Sequence, residues 1–369
     1  MDEERLARMG LCALNHVADP RLAQLIRSHG PEEVWHAVRA QGETTALGRR
    51  ARTVEPQVLA EETARCGARF LIPGDEQWPR EFAALGDACV GEMGGEPIGV
   101  WVTGSAEGHL PGRSVAIVGA RAATGYGLHV AEELAAGLAD AGWCVISGMA
   151  FGIDAAAHRA ALAVGGSSAA VMATGIDRTY PTTHERLRRQ IEGRGTVWTE
   201  LPPGQQPVRG TFLARNRIIA ALAVGTIVVE AGARSGARNT AAWAGEMCRI
   251  LMAVPGPVTS SMSMATHHMI RDGSASLVTC VDDVLALLEP LGSVAEPLLR
   301  GPAEPLETLP PQLRAVREAM PTRGVAGAEW LSAATGLAVP VVLAAVAELV
   351  ERGWVVESEG GWSLPRRPG

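Results

Sequence analysis

The 369-residue sequence contains no lysine, so all 33 of its basic residues are arginines. A Walker A phosphate loop, a pyridoxal phosphate Schiff base and a protein-kinase active site each need a lysine, and all three are therefore excluded. A GC-rich genome that favours arginine codons explains the composition itself. Arginine retains a planar guanidinium that binds phosphate oxygens and stacks on bases.

Paired cysteines and long apolar runs are also missing. The six cysteines lie far apart, with no CxxC pair and no Cys/His cluster, which argues against a zinc site or a disulfide framework and fits a reducing compartment. No apolar run reaches the ~18 residues of a membrane span, and the acidic, arginine-containing first ten residues do not resemble a signal peptide. We therefore expect a cytoplasmic protein with no membrane partner.

Positive charge is scarce in the chain as a whole, whose net charge is −7. The sequence therefore predicts no overall basic surface for nucleic acid. Residues 113–290 depart from this average, since they carry 15 arginines against 14 acidic residues. Any binding of nucleic acid must come from a local arginine cluster in this segment.

The chain changes character at about residue 113. At ~150 residues per domain its length predicts two or three domains. Residues 1–65 have the pattern of short helices broken by turns, and residues 66–112 are less regular, with short strand candidates at 70–72 and 99–102. From 113 onward, apolar strands alternate with amphipathic helices, which is typical of a doubly wound parallel sheet covered on both faces.

This middle segment contains six strand candidates and five helix candidates. The strands are Val115–Val118, Cys144–Ile146, Ala169–Met172, Thr196–Trp198, Thr226–Val229 and Ile250–Val254. The helices lie near 126–141, 154–164, 183–192, 214–223 and 240–247.

The last 80 residues predict a linker and a small module. Four prolines between 291 and 310 indicate a stiff linker. Helices at 311–319, 328–335 and 340–352, followed by short strands at 354–357 and 361–364, are the order of a winged helix. The third helix has two acidic residues, one terminal arginine and many aliphatic residues, so we expect it to contact protein rather than the DNA major groove.

Ligands of an open parallel sheet bind at the carboxyl ends of its strands, and those ends are rich in glycine and polar residues here. Such turns and helix N-termini favour phosphate. Gly119, Gly125 and Gly127 lack the GxGxxG spacing of a dinucleotide site. Asp154 and His158 favour a helix N-terminal carboxylate and a hydrogen-bonded partner over a metal half-site, because no third ligand is spaced to join them. We assign no catalytic residue, metal or cofactor.

The segment from Val208 to Ile219 sets arginine and asparagine side chains around one aromatic residue, Phe212. Arginines can bind phosphates while an aromatic ring stacks on an unpaired base, which is how single strands are held without sequence readout. In a chain with only 4% aromatics, Phe212 fits a core position equally well. The pattern alone leaves both interpretations open.

Six motifs then follow one another in a fixed order: Val115-Ala-Ile-Val-Gly-Ala-Arg121, Ser147-Gly-x-Ala-x-Gly-Ile-Asp154, Gly175-Ile-Asp177, Phe212-x-x-Arg-Asn-Arg-Ile-Ile219, Val229-Glu230 with Ser235-Gly236 and Thr240, and Val254-Pro-Gly256. In this order they resemble the DNA-processing protein A family (DprA/Smf). The resemblance is close over residues 113–290, and the flanking modules agree with the family's layout.

The resemblance implies an α/β fold with an extended Rossmann-like domain at 66–290. A SAM-like helical domain at 1–65, the linker at 291–310 and a winged helix at 311–369 would flank it. It also implies a homodimer that binds single-stranded DNA, protects incoming strands in natural transformation and loads the recombinase RecA, without being an enzyme. The DNA-binding residues that it implies are Gly119, Arg121, Ser147, Gly148, Gly152, Arg209, Phe212, Arg215, Asn216, Arg217, Ser235, Gly236 and Thr240, with Gly148 and Gly152 letting a phosphodiester approach backbone amides.

Two other functions are compatible with a sheet of this type. One is a phosphoribohydrolase acting on nucleoside monophosphates, as in the lysine-decarboxylase-like (LOG) group, although residues 230–236 lack the PGGxGT-type loop of those enzymes. The other is a nucleotide-sensing module that only signals. Release of adenine from AMP, set beside a titration with single-stranded DNA, separates the three hypotheses.

Overall fold

The computed structural model describes residues 2–105, 112–289, 306, 309–322 and 324–365. The chain divides into two compact units, Met1–Glu296 and Pro297–Gly369. The finer division into four parts stays a prediction, and the predicted linker at 291–310 lies almost wholly outside the described residues.

The first unit begins with five short helices: α1 (Glu3–Ala13), α2 (Pro20–His29), α3 (Pro31–Ala40), α4 (Ala46–Thr53) and α5 (Pro56–Arg65). Local caps fix where they start. The Asp2 carboxylate accepts from the Arg5 amide at 2.8 Å, and Asp19 caps α2 immediately before Pro20. Gly10 of α1 packs directly on the Trp35 ring, so the helices enclose a small core of their own.

A nine-stranded sheet forms the centre of the first unit. Its strands are β1 (Arg69–Leu71), β4 (Val100–Gly104), β5 (Ser114–Val118), β6 (Cys144–Ser147), β7 (Ser168–Val171), β8 (Thr196–Thr199), β9 (Gly225–Val228), β10 (Ile250–Ala253) and β11 (Ser276–Leu277), in the order β1-β4-β8-β7-β6-β5-β9-β10-β11. The short strands β2 (Cys89–Val90) and β3 (Met93–Gly94) pair separately. All pairings from β8 to β11 are parallel, whereas β4 is antiparallel to β8 and β1. The predicted doubly wound α/β sheet is confirmed.

Helices cover both faces of this sheet: α6 (Gly125–Asp140), α7 (Ile153–Ala163), α8 (Glu185–Arg194), α9 (Arg209–Leu222), α10 (Ala237–Glu246), α11 (Met264–Arg271) and α12 (Val281–Leu288). Val115 and Ile117 of β5 pack under α6 and α7, while Ala116 and Val118 face α9 and α10. This alternation on a strand buried on both sides explains the continuous apolar runs in the sequence.

Helix α9 starts at Arg209, five residues before the predicted helix at 214. The Val208 amide donates to Thr211 Oγ1 at 3.0 Å, and the Thr211 amide donates to the Val208 carbonyl at 3.0 Å. This cap places Arg209 and Phe212 in the first turn of the helix.

The second unit contains α13 (Pro311–Ala319), α14 (Ala328–Thr335), α15 (Val339–Glu351), β12 (Val356–Ser358) and β13 (Gly361–Ser363). Its elements follow the order predicted for a winged helix, around a core that includes Val316, Leu331 and Val346. No single helix among the described residues is long and apolar enough to cross a membrane, although α14 and α15 together have that length and composition and meet at 106°.

His158 of α7 is completely buried, and the described residues contain no group of three or more histidine, cysteine or acidic side chains that could hold a metal ion. Its Nδ1 lies 2.7 Å from Ser168 Oγ, which donates its own proton to the Val145 carbonyl, so the imidazole is the donor to Ser168. Burial, together with His184 and Arg215, lowers the pKa of His158 from 6.5 to about 3. His158 is thus hydrogen-bonded, but to Ser168, whereas Asp154 accepts from the backbone amides of Gly148 and Ala150.

We expect His158 to make the fold acid-sensitive. The pKa of His158 is lower in the folded state, so only the unfolded chain binds this proton as the pH falls from ~6.5 toward 3. Over this range His158 lowers the free energy of unfolding by ~1.4 kcal/mol per pH unit. His158→Gln keeps a donor and should flatten the slope measured by urea unfolding between pH 7 and 5. The exposed His129, changed to Gln, serves as the control. An unchanged slope in His158→Gln would contradict the assignment.

Candidate nucleic-acid interface

A cavity of about 510 Å³ opens at the carboxyl edge of the parallel strands. In the sheet, β5 lies between β6 and β9: the chain runs from β5 through β6, β7 and β8 in one direction and then crosses back to β9 on the other side of β5. Such a switch point is where open α/β sheets bind ligands. The lining residues are Val118, Gly119, Ala120, Arg121, Ala122, Ala150, Asp154, Phe212, Leu213, Arg215, Asn216, Ile219, Gly232, Arg234, Ser235, Gly236, Ala237, Thr240 and Met262.

Arg215 of α9 forms the charged floor of the cavity. Only 7% of the residue is exposed, and its Nη1 donates to the Val171 carbonyl at 2.7 Å. Burial lowers the pKa of Arg215 to about 10, against the opposing effect of Asp154. The guanidinium is still charged at neutral pH, and its Nε has no hydrogen-bond partner among the described residues. A buried cation with a spare donor is suited to an anionic ligand.

Asp154 partly balances this charge from the first turn of α7. Its Oδ2 accepts from the backbone amides of Gly148 and Ala150 at 3.1 and 3.3 Å. Burial raises the pKa of Asp154, while Arg215 and these amides act in the opposite direction. The carboxylate therefore fixes the loop after β6, as predicted for a helix N-terminal acid.

Phe212 and Arg121 form one side of the rim. The Arg121 guanidinium carbon lies 5.2 Å from the centroid of the Phe212 ring, and the Tyr180 ring packs edge-on against Phe212 at 5.4 Å between centroids. Phe212 is only partly buried and lines the cavity. The structure thus places Phe212 at the cavity rather than in the core, beside an exposed cation.

The opposite wall comes from the loop between β9 and α10 and from that helix. Asn216 Nδ2 donates to Asn239 Oδ1 at 3.2 Å, which ties α9 to α10. Ser235 and Gly236 line the mouth of the cavity, and Thr240 lies deeper and is buried. Arg234, an exposed residue of this loop that the sequence patterns do not single out, adds a further cation to the lining.

Glu230 holds the N-terminus of the neighbouring helix, α6. Its carboxylate accepts from the Thr124 amide at 2.9 Å and from Thr124 Oγ1 at 2.6 Å. A Cβ atom on Gly127 would lie 2.3 Å from Glu230 Oε2. In dinucleotide-binding folds the pyrophosphate occupies this helix N-terminus, whereas here a carboxylate of the chain itself lies there.

Comparison with known proteins shows to which family this architecture belongs. The family model for DNA recombination-mediator protein A matches residues 69–289. A DprA protein of Mycobacterium tuberculosis is 42% identical over 364 residues, which cover 96% of this chain and 93% of the relative. The chain belongs to the DprA family.

Two solved DprA structures share the fold. The DprA of Streptococcus pneumoniae matches with a TM-score of 0.65 and 30% identity, over 79% of this chain and 99% of that one. The structure of the Helicobacter pylori DprA is described as giving insight into its single-stranded DNA binding mode. It matches with a TM-score of 0.53 and 26% identity, over 60% of this chain and 95% of that one.

The thirteen residues implied by the DprA resemblance fall into three sets. The structure brings together at the cavity Gly119, Arg121, Phe212, Arg215, Asn216, Ser235, Gly236 and Thr240. Arg209 is exposed in the first turn of α9, three residues before Phe212, and does not line the cavity. The remaining four residues, Ser147, Gly148, Gly152 and Arg217, face the protein.

The two glycines are needed for packing, which corrects their expected role in admitting a phosphodiester. A Cβ atom on Gly148 would lie 1.8 Å from Arg215 Nη1, and the Gly148 amide already donates to Asp154. Gly152 has a φ of +76°, and a Cβ there would lie 2.2 Å from the Ala120 carbonyl oxygen. These glycines let the loops after β5 and β6 and the Arg215 side chain pack together.

Ser147 and Arg217 are also corrected, because neither reaches the cavity. Ser147 is fully buried, and its Oγ donates to the Ile117 carbonyl at 2.6 Å. Arg217 is fully buried as well, and its Nη2 donates to Glu200 Oε1 at 2.5 Å, beside Cys12 of α1. Burial raises the pKa of Glu200, and Arg217 opposes that rise. Arg217 is thus an internal ion-pair partner.

We expect Arg217→Met to destabilise the fold by ~3–5 kcal/mol, because it leaves the Glu200 carboxylate buried without its partner. The double variant Arg217→Met with Glu200→Gln should recover much of this loss, since no unpaired charge remains. Urea unfolding measures all three free energies. If Arg217→Met keeps wild-type stability and only weakens DNA binding, Arg217 contacts DNA after all.

Proposed function

We propose that the cavity and its rim bind single-stranded DNA without reading its sequence. The observation that carries this proposal is the exposed Arg121 guanidinium stacked on Phe212 above the buried, charged Arg215. Arginines neutralise phosphates, and an aromatic ring offers a stacking surface to any base. The single-stranded DNA binding described for the Helicobacter pylori DprA supports the same ligand class.

We further propose that the chain acts in natural transformation and homologous recombination, where it protects incoming strands as a homodimer and loads RecA. The family description as a recombination mediator supports this role. A second copy would find an exposed edge strand, β11, with Leu277 half exposed and Met264 of α11 56% exposed. Exposed apolar residues and an open sheet edge favour association with another chain.

The alternative, a phosphoribohydrolase, has less support from the cavity. Asp154 is the one acidic residue among the described lining residues, and its Oδ2 is occupied by two backbone amides. Glu230 is committed to Thr124. Incubation with AMP should release no adenine, as followed by chromatography. Release of adenine without binding of DNA would favour the enzyme. Binding of AMP without adenine release and without DNA binding would favour a sensing module.

We expect the protein to bind single strands more tightly than a blunt duplex, with little dependence on sequence. Phosphate contacts should make the affinity fall with salt, with a log–log slope of ~0.7 per neutralised phosphate. Fluorescence anisotropy with mixed-sequence, oligo-dT and duplex probes at several salt concentrations measures this. Equal affinity for the duplex, or a flat salt response, would rule out the proposal.

Substitutions at the rim should weaken binding for every sequence alike. Arg121→Ala removes a phosphate contact and should reduce the salt slope, while Phe212→Ala should cost ~1–3 kcal/mol of binding free energy through lost stacking. Arg194→Ala is the matched control, because this exposed arginine ends α8 at the opposite edge of the sheet, just before β8. Wild-type affinity in both rim variants, with unchanged melting temperatures, would refute the site.

A further inference from the structure

Phenylalanine and tyrosine are distributed unevenly in the first unit. The chain has four phenylalanines and two tyrosines. Phe70 and Phe82 are buried in the core, whereas Tyr126, Phe151 and Tyr180 are 41, 51 and 46% exposed. Among the described residues of this unit, they are the only large aromatic rings with such exposure.

These exposed rings lie on one edge of the sheet together with Phe212. Tyr126 follows β5, Phe151 follows β6, Tyr180 follows β7 and Phe212 follows β8, so each of four consecutive parallel strands is succeeded by one aromatic ring at its carboxyl side. Burying these rings would have been favourable. A row of exposed rings at a ligand-binding edge therefore points to a contact surface.

The local structure holds the rings in place. Tyr180 packs edge-on against Phe212, at 5.4 Å between ring centroids, and so continues from the rim of the cavity. Phe151 packs edge-on against His184 at 4.9 Å, and His184 Nδ1 lies 3.0 Å from the Met149 carbonyl. Met149 and Gly152, with φ angles of +58° and +76°, bracket Phe151 and turn the loop outward. Tyr126 differs, because its hydroxyl is bound to the Pro255 carbonyl at 2.5 Å.

We propose that Tyr180 and Phe151 form a second stacking surface, which extends the DNA-binding site from Phe212 over the ends of β7 and β6. This inference rests on the proposed binding of single-stranded DNA and assigns the direction in which the strand leaves the cavity. The exposed guanidinium of Arg178, two residues before Tyr180, pairs with Asp177 at 3.7 Å and is a cation at the surface beside this ring. Rings with cations between them are how sequence-tolerant single-strand sites are built.

The test compares oligo-dT probes of about 4 and about 16 nucleotides, the range over which single-strand sites vary. Tyr180→Ala and Phe151→Ala should each lower the affinity for the long probe by about tenfold, because each removes the stacking of one base. The affinity for the short probe should change little. Tyr180→Phe should restore what Tyr180→Ala loses. Val164→Ala, an exposed apolar residue between α7 and β7 at the opposite edge, is the control.

A second measurement on the wild-type protein does not depend on how the variants fold. Photocrosslinking with a long probe containing 5-iododeoxyuridine, followed by mass spectrometry, should place crosslinks on Tyr180 or Phe151. Crosslinks confined to Phe212, with both alanine variants binding the long probe like wild type, would overturn the second surface. Failure of the wild type to bind either probe would instead refute the proposed function, and wild-type affinity of both Arg121→Ala and Phe212→Ala would refute the cavity as its site.

Discussion

The guanidinium of Arg215 occupies the space beside Gly148 where any other residue would carry a side chain. This close approach lets the arginine donate to the Val171 carbonyl and keeps it near Asp154. Asp154 in turn holds the loop after β6 through two amides, and Gly152 lets that loop touch the Ala120 carbonyl. The loops after β5 and β6 and the start of α9 are therefore fixed relative to one another, which gives the cavity its shape.

Helix α9 carries buried charges on two opposite sides. Arg215 and Arg217 are two residues apart, so their side chains point about 200° apart around the helix. One lines the cavity beside Asp154, and the other is paired with Glu200 beside α1. Two arginines in one motif therefore have different physical roles: one holds the helix against the N-terminal helices, and the other offers charge to a ligand.

The periodicity of the sequence was sufficient to predict the sheet and most of its helices, because strands buried on both faces are continuously apolar and the helices between them are amphipathic. The sequence predicts the positions of the short β1 and β4 but not their antiparallel pairing with the sheet. Strands of three to five residues do not indicate which strand they pair with. The cluster of cations around Phe212 in the sequence pointed to Arg215, whereas Arg121 came from the resemblance to the DprA family. That cluster could not separate Arg215 from Arg217, because only the packing of α9 decides which arginine faces the cavity. Arg234 lies in an irregular loop without a pattern to single it out.

Glu230 at the N-terminus of α6 has a consequence for how ligands exchange. Because the carboxylate already satisfies Thr124 and the positive end of the helix, this turn has its final conformation before any phosphate arrives. A preorganised surface loses little conformational entropy on binding. The anion site at this helix N-terminus is already filled by the Glu230 side chain. Contacts spread along a polymer can then form and break one at a time, which suits the proposed binding and release of a single strand.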